Sequence, residues 1–419
     1  MVALEKPFPR IAPESSGTVD VVVLGAGVVG TASAYALARR GLSVALVDRN
    51  AGPALGTSFA NGAQLSYAYV DTLGSPGLLR KLPALLMGAD PLFRLKPSFD
   101  PDMVRWSLQF LRACSGASYR TGTLAMLKLA LESQRALHAL LERHPIAFGY
   151  AGSGKMHLYF STEGLSEAAA MVELKRAHGV EQHILSRDEA VAIEPALRDA
   201  KDLAGVVYSP YDEAGDPHRF SRGLVEVLEQ HYGVRTVFGF SARAAEFSPD
   251  GVRVRGVQGE EVHGRRLVVA LGVDAPSFLK RMGIRAPVQP MKGYSFTAPL
   301  GENAPRVSLT DTARKLVFCR LSGRIRVAGG AELGEWSTAA APSRLAALVD
   351  SARQSLPMAA DFDHLDSTWA GLRPMTPGSV PIISRPREQL VLNVGHGMLG
   401  WTLAMGSAER AADLLLASH

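Results

Sequence analysis

At 419 residues the chain is long enough for one large or two interlocked domains, each with its own core. Hydrophobic residues at 47% and charged residues at 20% exclude a disordered or fibrous chain. A formal net charge of +5 is too weak and dispersed for a nucleic-acid surface, although it is compatible with an anionic membrane. Two distant cysteines, Cys114 and Cys319, rule against a disulfide framework or a cysteine-ligated metal site and make a reducing compartment the expectation.

The first predicted element is a buried strand, Val21–Leu24, which runs into Gly25-Ala26-Gly27-Val28-Val29-Gly30 and an Ala-rich helix over 31–40. Gly25 permits a tight turn, Gly27 lets backbone approach a pyrophosphate, and Gly30 lets the helix pack closely on the strand. The helix N-terminus turns its unpaired N–H groups toward that diphosphate. A second strand over 42–47 ends in Asp48, where an acid holds ribose hydroxyls. Arg49 reads as a solvated surface cation or as a partner for an NADP 2′-phosphate, and the residues around Asp48 leave FAD and NAD both open. Although residues 21–38 are uncharged, three glycines interrupt them and a polar, proline-containing leader precedes them. Neither a membrane span nor a signal sequence is expected.

The next stretch, Gly56-Thr57-Ser58-Phe59-Ala60-Asn61-Gly62-Ala63-Gln64, continues through Ser66, Tyr67 and Tyr69. Its density of small and amide residues, interleaved with aromatics, predicts a loop contacting a cofactor through Ser58, Asn61, Gly62 and Gln64. Residues 76–145 read as helical: an apolar run over 76–87, a helix over 103–113 started by Asp100-Pro101-Asp102, and a longer amphipathic helix over 123–143. The plain explanation is a helical layer packed on its own domain. The basic and apolar mix over 78–112, with Arg80, Lys81, Leu85, Leu86, Phe93 and Arg94, also suits a membrane surface.

A strand over 155–160, helices over 163–178 and 186–193, and a helix over 220–231 capped by Asp216-Pro217 follow. Alternation over 234–269 predicts antiparallel hairpins closed by a buried strand that ends in Ala270-Leu271-Gly272. That ending either brings backbone close to a cofactor at Ala270 and Gly272 or is a generic strand-to-turn glycine. Further strands begin at Pro290-Met291-Lys292-Gly293-Tyr294, and a helix spans 342–355. After Gly371-Leu372-Arg373-Pro374 comes a strand over 390–394. Gly395-His396-Gly397-Met398-Leu399-Gly400-Trp401-Thr402 then opens the last helix. Glycines at that strand-to-helix turn imply close backbone approach to an anion or ring, so the chain returns to the site opened at Gly25.

These marks together, Thr57-Ser58-Phe59-Ala60-Asn61-Gly62, Asp212-Glu213-Ala214-Gly215-Asp216, Lys292-Gly293-Tyr294-Ser295, Ile325-Arg326-Val327-Ala328-Gly329-Gly330, Gly371–Pro377 and Gly395–Thr402, resemble the D-amino-acid dehydrogenases. That group sits within the D-amino-acid oxidase and glycine oxidase superfamily of flavoproteins. The resemblance implies an α/β fold: a discontinuous, Rossmann-like FAD-binding domain at 18–75, 201–289 and 366–419, with an α+β substrate domain at 76–200 and 290–365. Members usually carry Asp-Gly where this chain has Gly378-Ser379, and Gly-Asp-Cys where it has Gly215-Asp216-Pro217. Some superfamily members tether flavin to a cysteine near the Arg-Pro stretch. No thiol lies near Gly371, so FAD is expected to be held non-covalently.

By the same resemblance Arg373 binds the substrate carboxylate, for which a planar guanidinium is suited. Tyr67, Tyr69, Tyr294 and His396 are candidate pocket or flavin-edge groups. Oxidation then needs the Cα–H aimed at the flavin and a neutral amine to push hydride out, followed by hydrolysis of the imine to a 2-oxo acid and ammonia. The leading expectation is a cytoplasmic D-amino-acid dehydrogenase passing electrons to a quinone or other non-oxygen acceptor, peripheral on the inner face of the cell membrane if residues 78–112 meet lipid. A sarcosine, glycine or hydroxy-D-proline enzyme is the near rival, and a non-catalytic flavin-binding subunit the distant one.

Overall fold

Hydrogen bonding organises the described residues of this computed structural model, 17–80, 92–96 and 98–417, around two large sheets. The strands begin with β1 (Val19–Leu24), β2 (Val44–Asp48), β3 (Gln64–Leu65), β4 (Phe93–Leu95), β5 (Lys155–Tyr159), β6 (His183–Leu185) and β7 (Gly205–Ser209). They continue with β8 (Glu213–Ala214), β9 (Arg235–Phe238), β10 (Ala242–Ser248), β11 (Gly251–Gly256), β12 (Glu261–Val269) and β13 (Gln289–Pro299). The last are β14 (Ser308–Asp311), β15 (Leu316–Leu321), β16 (Arg324–Leu333), β17 (Ser367–Met375), β18 (Ile382–Arg387) and β19 (Leu390–Val394). The helices are α1 (Val28–Ala38), α2 (Pro101–Ala113), α3 (Gly116–Arg143), α4 (Thr162–Arg176) and α5 (Arg187–Ile193). After them come α6 (Pro217–Tyr232), α7 (Ala275–Lys280), α8 (Pro342–Ser355) and α9 (Gly400–Leu416).

The first sheet runs β10-β11-β12-β1-β2-β9, with β19 added to β12 and β18 to β19. Its centre is parallel: β1 lies between β2 and β12, and Val21, Val22, Val23 and Leu24 are all fully buried. A strand buried on both faces needs such an unbroken apolar run. One face carries α1, α3, α6 and α9, and the alanines of α1 and α9 let these helices approach one another. The other face is covered by the β10–β11 hairpin and α7 through Phe240, Val254 and Phe278. The antiparallel pattern expected over 234–269 holds only from β10 onward. β9 pairs parallel with β2, because α6, which packs on α1, returns the chain to the sheet as a crossover.

The second sheet runs β17-β13-β16-β15-β14-β5-β7-β6, with β4 alongside β16. Paired residues on neighbouring strands share a face. One row, Trp369, Ser295, Ala328, Val317, Thr310 and His157, crosses six strands on the inner face. The adjacent row, Phe296, Val327, Phe318, Leu309 and Met156, points the other way and packs with Leu348 and Ala352 of α8. Strict alternation therefore gives this sheet one apolar face and one face free for chemistry.

Two further details depart from the sequence reading. The region 76–145 is not wholly helical, since Phe93–Leu95 forms β4, parallel to β16. β7 and β17 are hydrogen-bonded in the second sheet, so the boundaries drawn at 201 and 366 do not follow the sheets. Lys81, Leu85 and Leu86 lie outside the described residues. The caps agree with the sequence: Asp100 accepts from the Asp102 amide, and Asp216 accepts from the amides of His218 and Arg219.

The tightest packing in the first sheet is at its glycine turn. A Cβ placed on Gly30 would lie 1.7 Å from the Gly25 carbonyl oxygen, whereas one on Gly27 would meet only Ser58 Oγ at 3.5 Å. Gly30→Ala is expected to destabilise the fold by about 3 kcal/mol or more through overpacking, while Gly27→Ala is tolerated. Thermal melts of the two variants check this, and equal melting temperatures would contradict it.

Candidate functional site

A cavity of about 1310 Å³ extends from Gly25 and Asp48 of the first sheet to Arg373 and Met291 of the second. At the first end Gly25 takes a φ of +99°, and a Cβ there would lie 2.5 Å from the Ala270 carbonyl oxygen. The ends of β1 and β12 thus meet with no side chain between them. Asp48 Oδ2 accepts from the Ala26 amide at 2.6 Å, and Oδ1 accepts from the amide and side chain of Asn50, each at 2.8 Å. Burial nevertheless pushes the Asp48 carboxyl above its usual range. Ser58 Oγ accepts from the Val28 amide at 3.2 Å, placing a hydroxyl at the N-terminus of α1. Arg49 pairs with Asp274 at 3.0 Å on the exposed rim.

From Ser58 the loop crosses the inner face of the second sheet strand by strand. Thr57 Oγ1 donates to Leu372 O at 2.6 Å on β17, and Ser295 Oγ on β13 donates to Ala60 O at 2.6 Å. Gly62 lies against Val317 of β15, and Gln64 Nε2 donates to Leu309 O of β14 at 3.2 Å. The crossing ends at β5, where Lys155 Nζ donates to Ser66 Oγ. Tyr69 then stacks on His157, with ring centroids 3.6 Å apart.

Arg373 stands on β17 above Gly293, where a Cβ would collide with its guanidinium. Its Nη1 donates to Gly330 O at 2.8 Å. No carboxylate pairs with it among the described residues. Burial lowers its pKa to about 10, which leaves it cationic at neutral pH. The adjoining wall is apolar: Trp106 stacks with Phe110 at 5.3 Å, and Met291, Leu73 and Leu333 complete it. A charged guanidinium set in such a wall is built to take an anion bearing an apolar group.

His396 lines the same cavity and is held near pKa 3 by burial, so it is neutral. Its Nε2 lies 3.0 Å from Ser407 Oγ, and that hydroxyl donates to Ala404 O at 3.1 Å. With the single hydroxyl proton so placed, Nε2 is the N–H donor and Nδ1 the acceptor.

The other predicted site residues divide plainly. Gly27, Val28, Asn61, Gln64, Gly272, Gly371, Gly397, Leu399, Gly400 and Trp401 line the cavity beside those already described. Ala26, Gly30, Gly395 and Thr402 stand behind that wall: Thr402 Oγ1 accepts from the Ser66 amide at 3.0 Å, and the Ala26 amide holds Asp48. Tyr67 does not line the cavity either. Its hydroxyl donates to buried Glu213 at 3.1 Å, so it braces the loop from behind. Tyr294 packs in the core beneath α8, on the face opposite Arg373. Its ring edge reaches the cavity beside Gly330, but its hydroxyl donates to Glu332 at 3.0 Å.

Sequence reasoning missed Lys155, His157, Trp106 and Met291 as site residues. A usable signal existed at β5, where Lys155-Met156-His157-Leu158 puts two polar side chains on the face opposite two apolar ones.

A family model described as FAD dependent oxidoreductase matches residues 20–414. The D-amino acid dehydrogenase 2 of Ralstonia nicotianae is 42% identical over 411 residues, covering 95% of this chain and 96% of that protein. Among solved structures, glycine oxidase from Geobacillus kaustophilus superposes with a TM-score of 0.75 at 20% identity, covering 96% of this chain and 95% of that one. The dithionite-reduced L-alpha-glycerophosphate oxidase of Mycoplasma pneumoniae with FAD bound gives 0.73 at 17%, covering 96% of each chain. The glycine turn, the half-buried acid and the long cavity fit a flavin dinucleotide, and Gly25–Val28, Ser58 and Asp48 are the residues that would hold its phosphates and ribose. With fold, cavity and sequence in agreement, the chain belongs to the FAD-dependent oxidoreductase family of the D-amino-acid oxidase type.

Proposed function

We propose that this protein deaminates D-amino acids oxidatively, giving 2-oxo acids and ammonia, and passes the electrons to a quinone or similar acceptor. The observation that carries the reading is Arg373, a half-buried guanidinium without a carboxylate partner among the described residues, set in an apolar wall of the cavity. The R. nicotianae relative, named a D-amino acid dehydrogenase, supports the same choice.

FAD, when bound, supplies the hydride acceptor. Arg373 grips the substrate carboxylate through the N–H groups left free by the Gly330 contact, which fixes the Cα relative to the sheet. Trp106, Phe110, Met291 and Leu333 take the side chain and keep water from the reacting centre. Neutral His396 adds no charge and presents Nδ1 as an acceptor. Glu332, paired with Arg344, fixes the hydroxyl of Tyr294 and gives that tyrosine a positioning role. A non-catalytic subunit would have no use for the guanidinium. A sarcosine or glycine enzyme would not need the aromatic wall.

A peripheral membrane contact has its own support. On α2, Val104, Leu108 and Leu111 are exposed along one stripe, and Phe99 just before it is 99% exposed. Arg105 and Arg112 flank that stripe, and Arg94 and Lys96 precede it. Among the described residues no helix is long and apolar enough to cross a membrane. Such a face suits shallow insertion with basic groups at the headgroups.

Arg373→Ala and Arg373→Lys are expected to keep FAD but to cut kcat/KM for D-amino acids, by about 2–5 kcal/mol for the alanine variant. Unchanged kcat/KM with normal flavin content would remove Arg373 from the site. Acid precipitation of the yellow protein should release its flavin to the supernatant, because both cysteines are buried and neither lines the cavity. Flavin left in the pellet would demonstrate a covalent link. Co-sedimentation with anionic liposomes should weaken as salt rises, and quinone-analogue turnover should exceed oxygen consumption. No lipid binding together with fast peroxide production would identify a soluble oxidase instead.

A further inference from the structure

Several buried charges lie around the 57–69 loop, and two of the cations are directly paired. Lys175, 1% exposed, pairs with Asp71 at 3.1 Å and donates to Ala68 O at 3.0 Å. Arg326 pairs with Asp216 at 3.1 Å. Lys155, 4% exposed and in the cavity wall, has no ion-pair partner among the described residues. Its hydrogen bond goes to Ser66, a neutral hydroxyl. The ring of Tyr69, 5.7 Å from Nζ, gives only a weak cation–π contact, shared with Lys175. Asp212 is the opposite charge that acts on it most: its Oδ1 accepts from the amides of Tyr67 and Ala68, each at 2.9 Å, and its buried Oδ2 has no hydrogen-bond partner among the described residues, yet neither oxygen makes an ion pair with Nζ. Burying an ammonium this way is unfavourable unless an anion joins it.

The position shows which anion. Ser66, which holds Nζ, is tied through its amide to Thr402 in the first turn of α9. Gly400 and Trp401 of that turn line the same cavity, and α9 is 17 residues long, with a full positive N-terminal end. An ammonium and a helix N-terminus therefore converge at the end of the loop, away from the Asp48 end that takes the ribose. We propose that Lys155 is the buried cation that stabilises negative charge on the ring of bound FAD. The inference rests on FAD binding and deepens the proposed reaction without depending on its substrate. When the ring accepts a hydride, the C–H electron pair of the donor goes to the ring with the hydrogen, and the ring gains one negative charge. A cation held in a water-poor wall favours that form. Burial lowers the Lys155 pKa to about 8 against the opposing pull of Asp212, which leaves it cationic at neutral pH.

Sulfite tests the inference with no amino acid present. It adds to the oxidised ring through a new S–N bond and leaves the same negative charge on the ring. In Lys155→Met holoenzyme the sulfite Kd is expected to rise about tenfold or more, the scale of one poorly screened charge. Lys155→Arg should stay near wild type, and the midpoint potential of the methionine variant should fall. A Kd unchanged in the flavin-loaded methionine variant overturns the proposal. If that variant retains no FAD, Ser66→Ala, which frees the ammonium from its anchor, serves instead: weaker sulfite binding supports the role and unchanged binding overturns it. A sulfite Kd raised in the methionine variant, together with a wild-type flavin that no D-amino acid reduces, would defeat the substrate reading and leave Lys155 in place.

Discussion

The structure depends on a single seam, the 57–66 loop laid across the inner face of the second sheet. Its hydroxyl and amide bonds to β17, β13 and β14, and the Lys155 bond from β5, set how the glycine turn of β1 faces Arg373. Neither sheet alone contains a site. The first supplies the glycine turn, the second supplies a guanidinium in an apolar wall, and the loop sets the distance between them. Small side chains along the loop are a physical requirement, since Gly62 lies directly against Val317.

Desolvation is the second organising force. Arg373, Lys155 and His396 are all driven by burial toward their neutral forms, but only His396 becomes neutral at physiological pH. Arg373 and Lys155 thus stay charged beside the neutral His396, in an environment that strengthens their interactions with an anion. One cation, Arg373, stands in the apolar wall. The other lies where the loop meets the N-terminus of α9. The proposed reaction, with a carboxylate held at one point and an electron pair collected at another, is served by this division.

The tyrosines show how burial redirects a plausible group. Tyr67 and Tyr294 both donate to carboxylates, Glu213 and Glu332, which are themselves buried and held by further partners: His138 and Tyr150 for the first, Arg344 for the second. Each phenol proton is already committed, and burial raises both pKa values above the usual phenol range. They act as braces, Tyr67 behind the loop and Tyr294 under Gly330, whose carbonyl receives Arg373.

By itself the sequence determined the glycine turn, the parallel strands around it, the acid at the end of β2, the capped starts of α2 and α6, and the return of the chain at 395–402. All of these follow from local chemistry, in which φ preference, hydrogen-bonding side chains and unbroken apolar runs act within a few residues. It also marked Arg373, through a resemblance rather than through spacing. Only the tertiary structure decided that β9 runs parallel, that β7 and β17 join the second sheet, and that the hydroxyls of Tyr67 and Tyr294 are committed to buried carboxylates. The same holds for the meeting of Lys155 with Ser66 across 89 positions of chain. The reason is physical: sheet partners, the face on which a side chain emerges and the counter-charge of a buried cation are set by residues distant in sequence. Their energies are paid only when the two sheets close on the loop.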